Sequence, residues 1–339
     1  MSKKPHETLL LTGCAGFIGS NFLPYFLEAH SHYHLIHIDA LTYAGNLENI
    51  RECEEHPRYH FVKGNICDRA LIERLFNESD IRGVIHFAAE SHVDNSIKNP
   101  AVFIQTNVMG TFNVLDVAYK AWMQKPFVFK SGYESCRFHH ISTDEVYGSL
   151  GETGLFTETT PYAPNSPYSA SKAASDMLLR SYHETYGLNT VMTNCSNNYG
   201  PKQHPEKLIP TIIRKALAKE PIPIYGDGKN IRDWLYVLDH CKGIDLVYHK
   251  GKVGEMYNIG GRNERTNLQI VDTICKILDE KVPIKGSYKD FITFVEDRAG
   301  HDRRYAIDAT KIESQLGWAA KETFDTGIVK TVEWYLANA

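Results

Sequence analysis

The chain has 339 residues, 42% hydrophobic and 23% charged, with a formal net charge of −4. That length suits about two domains of roughly 150 residues, and the composition excludes disorder and collagen-like repeats. A near-neutral balance argues against a nucleic-acid partner, and no apolar run approaches the roughly 20 residues of a membrane span. The apolar stretch Leu9 to Leu11 is too short for a signal peptide. Seven cysteines, at 14, 53, 67, 136, 195, 241 and 275, include no CxxC pair. That fits reduced thiols in a cytoplasm and no disulfide framework.

Strand and helix patterns alternate through the first half. Strands are expected at Thr8–Thr12, His34–Asp39, Tyr59–Val62, Gly83–Ala89, Phe138–Thr143 and Thr190–Ser196. Between them, helical spacing marks Phe17–Ala29, Asp68–Asn77, Pro100–Trp122 and Pro167–Tyr186. Such alternation means βαβ units and a parallel sheet with helices on both faces. The expected fold is α/β, a Rossmann-type doubly wound sheet with a smaller α/β substrate-binding domain. The first domain spans 1–190, with about 231–250 returning to it, and 191–339 is mainly the second. His30, His32, His34 and His37 straddle a helix end and a strand with no carboxylate or cysteine in register, so no metal is expected.

Gly13, Gly16 and Gly19 form a GxxGxxG turn after the first strand, opening the first helix. Glycine lets the backbone approach a pyrophosphate, and the helix N-terminus offers free N–H groups to that anion. Asp39 ends the second strand, 20 residues past Gly19. A carboxylate there accepts from a ribose 2′-OH and repels a 2′-phosphate, which favours NAD over NADP.

Tyr168 and Lys172 form a YxxxK pair on one helical face. A nearby cation favours the phenolate, which then takes a proton from a sugar hydroxyl. Thr143, Asp144 and Glu145 follow a strand whose carboxyl end faces the ligand crevice. Adjacent carboxylates divide labour there: one protonates a leaving hydroxyl while the other abstracts a carbon-bound proton. The alternatives are a 4,6-dehydratase acting on another nucleotide-linked glucose and a nucleotide-sugar 4-epimerase, of which the epimerase loses no water and needs no such pair. A non-catalytic NAD-binding scaffold needs neither Tyr168 nor Lys172.

The segments TGCAGFIGSNF (12–22), STDEVYG (142–148), SPYSASKAASD (166–176), CSNNYGP (195–201), PEKLIP (205–210) and IRDWLYV (231–237) carry a resemblance over nearly the whole chain. The sequence resembles the extended short-chain dehydrogenase/reductases and, within them, the dTDP-glucose 4,6-dehydratase family. The resemblance implies NAD-dependent dehydration of dTDP-glucose to the 4-keto-6-deoxy sugar nucleotide, by oxidation at C4, elimination across C5 and C6, and hydride return to C6. It implies Tyr168 as base at the C4 hydroxyl, Thr143 near O4, Glu145 as base at C5, Asp144 as acid at C6, and Lys172 at the nicotinamide ribose. Phe17, Ile18, Leu41, Thr42, Asn65, Ile66, Ala88, Ala89, Thr106 and Asn198 join Gly13, Gly16, Gly19, Asp39, Tyr168 and Lys172 in the implied NAD site. Ser91, Asn197, Lys207, Leu208, Pro223, Tyr225, Arg232, Asn267, Arg298 and His301 join Thr143 in the implied sugar-nucleotide site, the arginines as bidentate donors to a diphosphate. A cytoplasmic homodimer serving deoxysugar synthesis, such as dTDP-rhamnose for polysaccharide, is also implied. Asn65, Asn95 and Asn194 depart from the family pattern of Asp, Arg and Arg.

Overall fold

The computed structural model describes residues 7–297 and 302–338. Seven strands build the central sheet: β1 (Glu7–Thr12), β2 (Tyr33–Asp39), β3 (Tyr59–Lys63), β4 (Ile81–His86), β5 (Arg137–Thr143), β6 (Thr190–Cys195) and β7 (Met256–Ile259). They are all parallel, in the order β7-β6-β5-β4-β1-β2-β3. Apart from the edge strand β3, whose residues are all at least partly exposed, their apolar runs are buried on both faces, as a parallel sheet between helix layers requires. Leu9, Leu10 and Leu11 have no exposed surface, and all six residues of β6 are buried. The sheet draws strands from both sides of residue 190.

Eight helices matter for the argument: α1 (Phe17–Ala29), α2 (Arg69–Ser79), α3 (Thr111–Trp122), α4 (Pro167–Tyr186), α5 (Leu208–Leu217), α6 (Val237–Lys250), α7 (Asn267–Lys281) and α8 (Phe324–Ala337). Phe22 and Phe26 of α1 and Cys241 and Ile244 of α6 pack on one face of the sheet. Leu75, Leu115, Trp122, Leu179 and Tyr182, from α2, α3 and α4, cover the other. α5, α7 and α8 enclose a separate core with Tyr199 and Trp234. This second lobe carries a three-stranded sheet of Asn197–Tyr199, Ile231–Tyr236 and Glu264–Thr266, and a parallel pair of Ile222–Tyr225 with Ile292–Val295.

Local chemistry explains where α4 starts and stops. Ser166 accepts from the Ser169 backbone N–H at 3.0 Å, Ser169 Oγ returns the bond, and Pro167 takes the first turn, where its missing N–H costs nothing. Gly187 closes the helix in the left-handed conformation at φ 71°. The helix expected over Pro100–Trp122 is interrupted by a wide π turn at Ile104–Gly110. A Cβ on Gly110 would lie 2.5 Å from the Ile66 side chain, so glycine allows this close approach. The turn brings Thr106 to the cleft and Asn107 into the interior.

Candidate active site

The strand order reverses between β4 and β1, and a cleft of about 300 Å³ opens at the carboxyl ends of the strands there. Gly13 turns out of β1 at φ 76°, and a Cβ on it would lie 2.5 Å from the Ala88 backbone. Only glycine fits that crossing. α1 starts at Gly16 with no side-chain cap and no acidic residue in its first turn, so its amides and positive dipole end face the cleft. Asp39 accepts from the backbone N–H of Ala15 at 3.0 Å and of Leu41 at 2.8 Å. Burial would raise its carboxyl, but His37 beside it and these amides hold it below the usual range. A fixed carboxylate beside an uncapped helix start is the donor and acceptor set that NAD needs, so these residues fit the cofactor.

The acid pair stands on the next turn of the wall. Asp144 is 2% exposed, and its Oδ2 has no hydrogen-bond partner. Burial, then the neighbouring Glu145 and Asp233, push its carboxyl well above the ordinary range, with Arg232 acting against them. Its neutral, proton-bearing form is therefore favoured over the carboxylate. Glu145 lines the same cleft, half-buried, and its N–H donates to Thr143 Oγ1 at 3.3 Å. Of the two adjacent carboxyls, Asp144 is thus the one whose surroundings disfavour ionisation.

Tyr168 and Lys172 also line the cleft. The ammonium does not meet the phenol as the i, i+4 spacing suggests. Lys172 Nζ donates to the Ile141 carbonyl at 2.8 Å and lies 3.3 Å from His140 Nε2. Burial and then Glu145 push the Tyr168 phenol up, while a hydrogen bond with Thr143 favours its ionised form. Asn107 braces this wall from behind. It accepts from the Glu90 N–H at 2.8 Å and donates to the Glu90 carbonyl at 3.0 Å and to Ser171 Oγ at 2.8 Å.

The chain matches the family model described as GDP-mannose 4,6 dehydratase over residues 10–331. A dTDP-glucose 4,6-dehydratase of Xanthomonas campestris pv. campestris (strain ATCC 33913) is 56% identical over 334 residues, covering 98% of this chain and 93% of that relative. The chain belongs to the dTDP-glucose 4,6-dehydratase family. Two solved members with NAD bound agree in structure. The one from Bacillus anthracis has a TM-score of 0.86 at 48% identity, covering 98% of this chain and 97% of its own. DesIV from Streptomyces venezuelae has a TM-score of 0.88 at 44% identity, with the same coverage.

Against the family's expected sites, the cleft gathers Gly13, Gly16, Phe17, Ile18, Gly19, Asp39, Thr42, Asn65, Ile66, Ala88, Ala89, Thr106 and Asn198. It also gathers Ser91, Thr143, Asn197 and Lys207. Leu41 sits just outside, at φ 52°, its N–H spent on Asp39. Leu208, Pro223, Tyr225, Arg232 and Asn267 lie on the second lobe, outside the cleft lining. Arg298 and His301 fall outside the described residues. The Arg232 guanidinium lies over the Tyr305 ring at 4.2 Å and donates to the Asp302 carbonyl at 2.9 Å. Part of its fork is thus committed to backbone.

The departures from the family pattern have local accounts. Asn65 Oδ1 accepts from the Cys67 N–H at 2.8 Å and tightens the turn after β3. Asn194 sits beside Tyr147, Tyr162 and Met256, donating to the Tyr147 hydroxyl at 2.9 Å. Nothing in the structure explains Asn95. Tyr43, Glu90, His204 and Glu206 line the cleft as well, beyond the site residues expected from the sequence. Glu206 had a signal, since it adjoins Lys207 in the PEKLIP segment.

Proposed function

We propose that this protein dehydrates dTDP-glucose to the 4-keto-6-deoxy sugar nucleotide with NAD that it regenerates. The observation that carries the reading is the buried Asp144, its carboxyl pushed up by burial, beside Glu145 in the same NAD-type cleft as Tyr168. Gly13, the start of α1 and Asp39 hold the cofactor, which when bound accepts hydride from the sugar and returns it. Tyr168 takes the proton of the C4 hydroxyl, and Thr143 orients that oxygen. Glu145 removes the C5 proton once a 4-ketone has acidified it. Asp144, kept protonated by burial, gives its proton to the departing C6 hydroxyl. The same pair argues against a 4-epimerase.

A homodimer through the helices over 93–122 and α4 is part of the proposal. Ile97, Val102, Ile104, Met109 and Met177 expose 40–49% of their surface along those helices. A cytoplasmic setting is proposed as well. Its seven cysteines carry no disulfide, and among the described residues no helix is long and apolar enough to cross a membrane. From the resemblance alone, the product feeds deoxysugar synthesis such as dTDP-rhamnose for polysaccharide. The test is mass spectrometry of dTDP-glucose incubated with purified protein and no added NAD. Loss of the mass of one water, abolished by Tyr168→Phe, is expected. An unchanged sugar nucleotide, even with NAD supplied, contradicts the reading.

A further inference from the structure

From the cleft wall Lys172 reaches back into a buried polar cluster whose other members, His140 and Asp176, the proposed steps leave unused. His140 on β5 and Lys172 and Asp176 on α4 are at most 3% exposed. One nitrogen of His140, Nε2, lies 3.3 Å from Lys172 Nζ and 3.1 Å from Asp176 Oδ1. The other oxygen of Asp176 accepts from Ser142 Oγ at 2.8 Å and from the Tyr162 hydroxyl at 3.0 Å. Lys172 and Asp176 are one helical turn apart, so an imidazole from the facing strand slots between ammonium and carboxylate. His140 Nδ1 has no hydrogen-bond partner, so the Nε2 side sets the tautomer. The Nε2 contact with Lys172 is a hydrogen bond, in which a bare Nε2 accepts from the ammonium, whereas Asp176 Oδ1 stands at 3.1 Å from the ring with no hydrogen-bond partner of its own.

A buried ammonium keeps its proton only if an opposite charge offsets its lost hydration. We propose that Asp176, set beside the His140 ring that meets Lys172, is the counter-charge that keeps Lys172 an ammonium at working pH. Asp176 and His140 are then positioning residues for Lys172 at the nicotinamide ribose, an inference that rests on the role that the family resemblance gives Lys172. Burial pulls the Lys172 amine down to about 8, with Asp176 opposing it. Burial lifts Asp176 to about 6, with Lys172 first in opposition. The other titratable groups around the cluster are His86 on β4, Cys195 on β6, and Tyr147, Tyr162 and Tyr168. The His86 ring stacks on His140 with centroids 5.4 Å apart. Burial pulls both imidazoles down, away from the charged form, and pushes the Cys195 thiol and the Tyr147 and Tyr162 phenols up, which leaves Asp176 as the carboxylate facing Lys172.

Asp176→Asn keeps the shape and removes the charge. NAD is titrated calorimetrically into NAD-free protein across the range in which a lysine near pKa 8 loses its proton. In the unaltered protein, affinity is expected to fall above about pH 8. In Asp176→Asn the fall should begin about one unit lower, and the alkaline limb of kcat should move with it. Tyr162→Phe removes one acceptor bond of Asp176 and should give a smaller shift of the same sign. In a Lys172→Arg background the Asp176→Asn shift should vanish, because a guanidinium stays charged. A uniform loss of affinity with an unmoved pH profile overturns the proposal. If Asp176→Asn does not fold, an unmoved profile in Tyr162→Phe overturns it equally. A protein that shows the shifts in NAD binding but never dehydrates dTDP-glucose contradicts the functional reading and leaves this one standing.

Discussion

Asp144→Asn separates a catalytic proton from a structural one. Asparagine has the shape of a neutral carboxylic acid, so the fold should accept it. The sign follows from the raised carboxyl of Asp144, whose ordinary value is about 3.9. A group whose pKa is raised on folding is most favourable to the fold below its unfolded value. Its contribution is lost as pH rises toward the folded value, at about 1.4 kcal/mol per unit. Wild-type protein should therefore lose stability relative to Asp144→Asn as pH rises from about 4 toward neutrality. By pH 7 the variant should be at least as stable in urea unfolding. Its kcat for water loss should drop roughly 10²–10⁴-fold, because the proton donor is gone. Exchange of the C5 hydrogen with D2O, which needs Glu145 and Tyr168 but not Asp144, should continue. A variant less stable than wild type at pH 7, or one that keeps full kcat, would refute the reasoning.

Glu145→Gln should stop C5 exchange in D2O and lower kcat by about 10²-fold or more, read by NMR of the sugar. Gly13→Ala puts a methyl 2.5 Å from the Ala88 backbone at a left-handed φ, so about 3 kcal/mol or more of stability should go, with NAD binding, in a thermal melt. Gly16→Ala meets only the Gly13 carbonyl at 3.3 Å, and should lose NAD affinity in calorimetry while melting near wild type. Asn107→Ala strands the Glu90 amide and carbonyl and leaves Ser171 Oγ only its bond to the Tyr168 carbonyl, and should cost about 3 kcal/mol in urea with a lower kcat.

Much of this site is legible along the chain because it is local. The turn Gly13–Gly19, the capped start of α4, and Thr143–Glu145 at a strand end each lie within one short segment. What was hidden depends on the folded arrangement. The π turn at Ile104–Gly110 answers to Ile66, packed against Gly110 from another segment. The Lys172 ammonium turns to Ile141 and His140 instead of Tyr168, a choice that helical spacing alone does not encode. Of the clustered histidines, His30 pairs with Asp245 at 2.9 Å, and Asp245 also meets His249 at 2.9 Å, far along the chain. The His140 and Asp176 contact spans two elements likewise. Glu206 shows the opposite case, a local signal available beside Lys207.

The claim that hydride leaves C4 and returns to C6 of the same sugar is tested by dTDP-glucose deuterated at C4. The account predicts a product lighter by one water that carries the deuterium at C6. Deuterium lost to solvent, or kept at C4 in an epimer of unchanged mass, would contradict it.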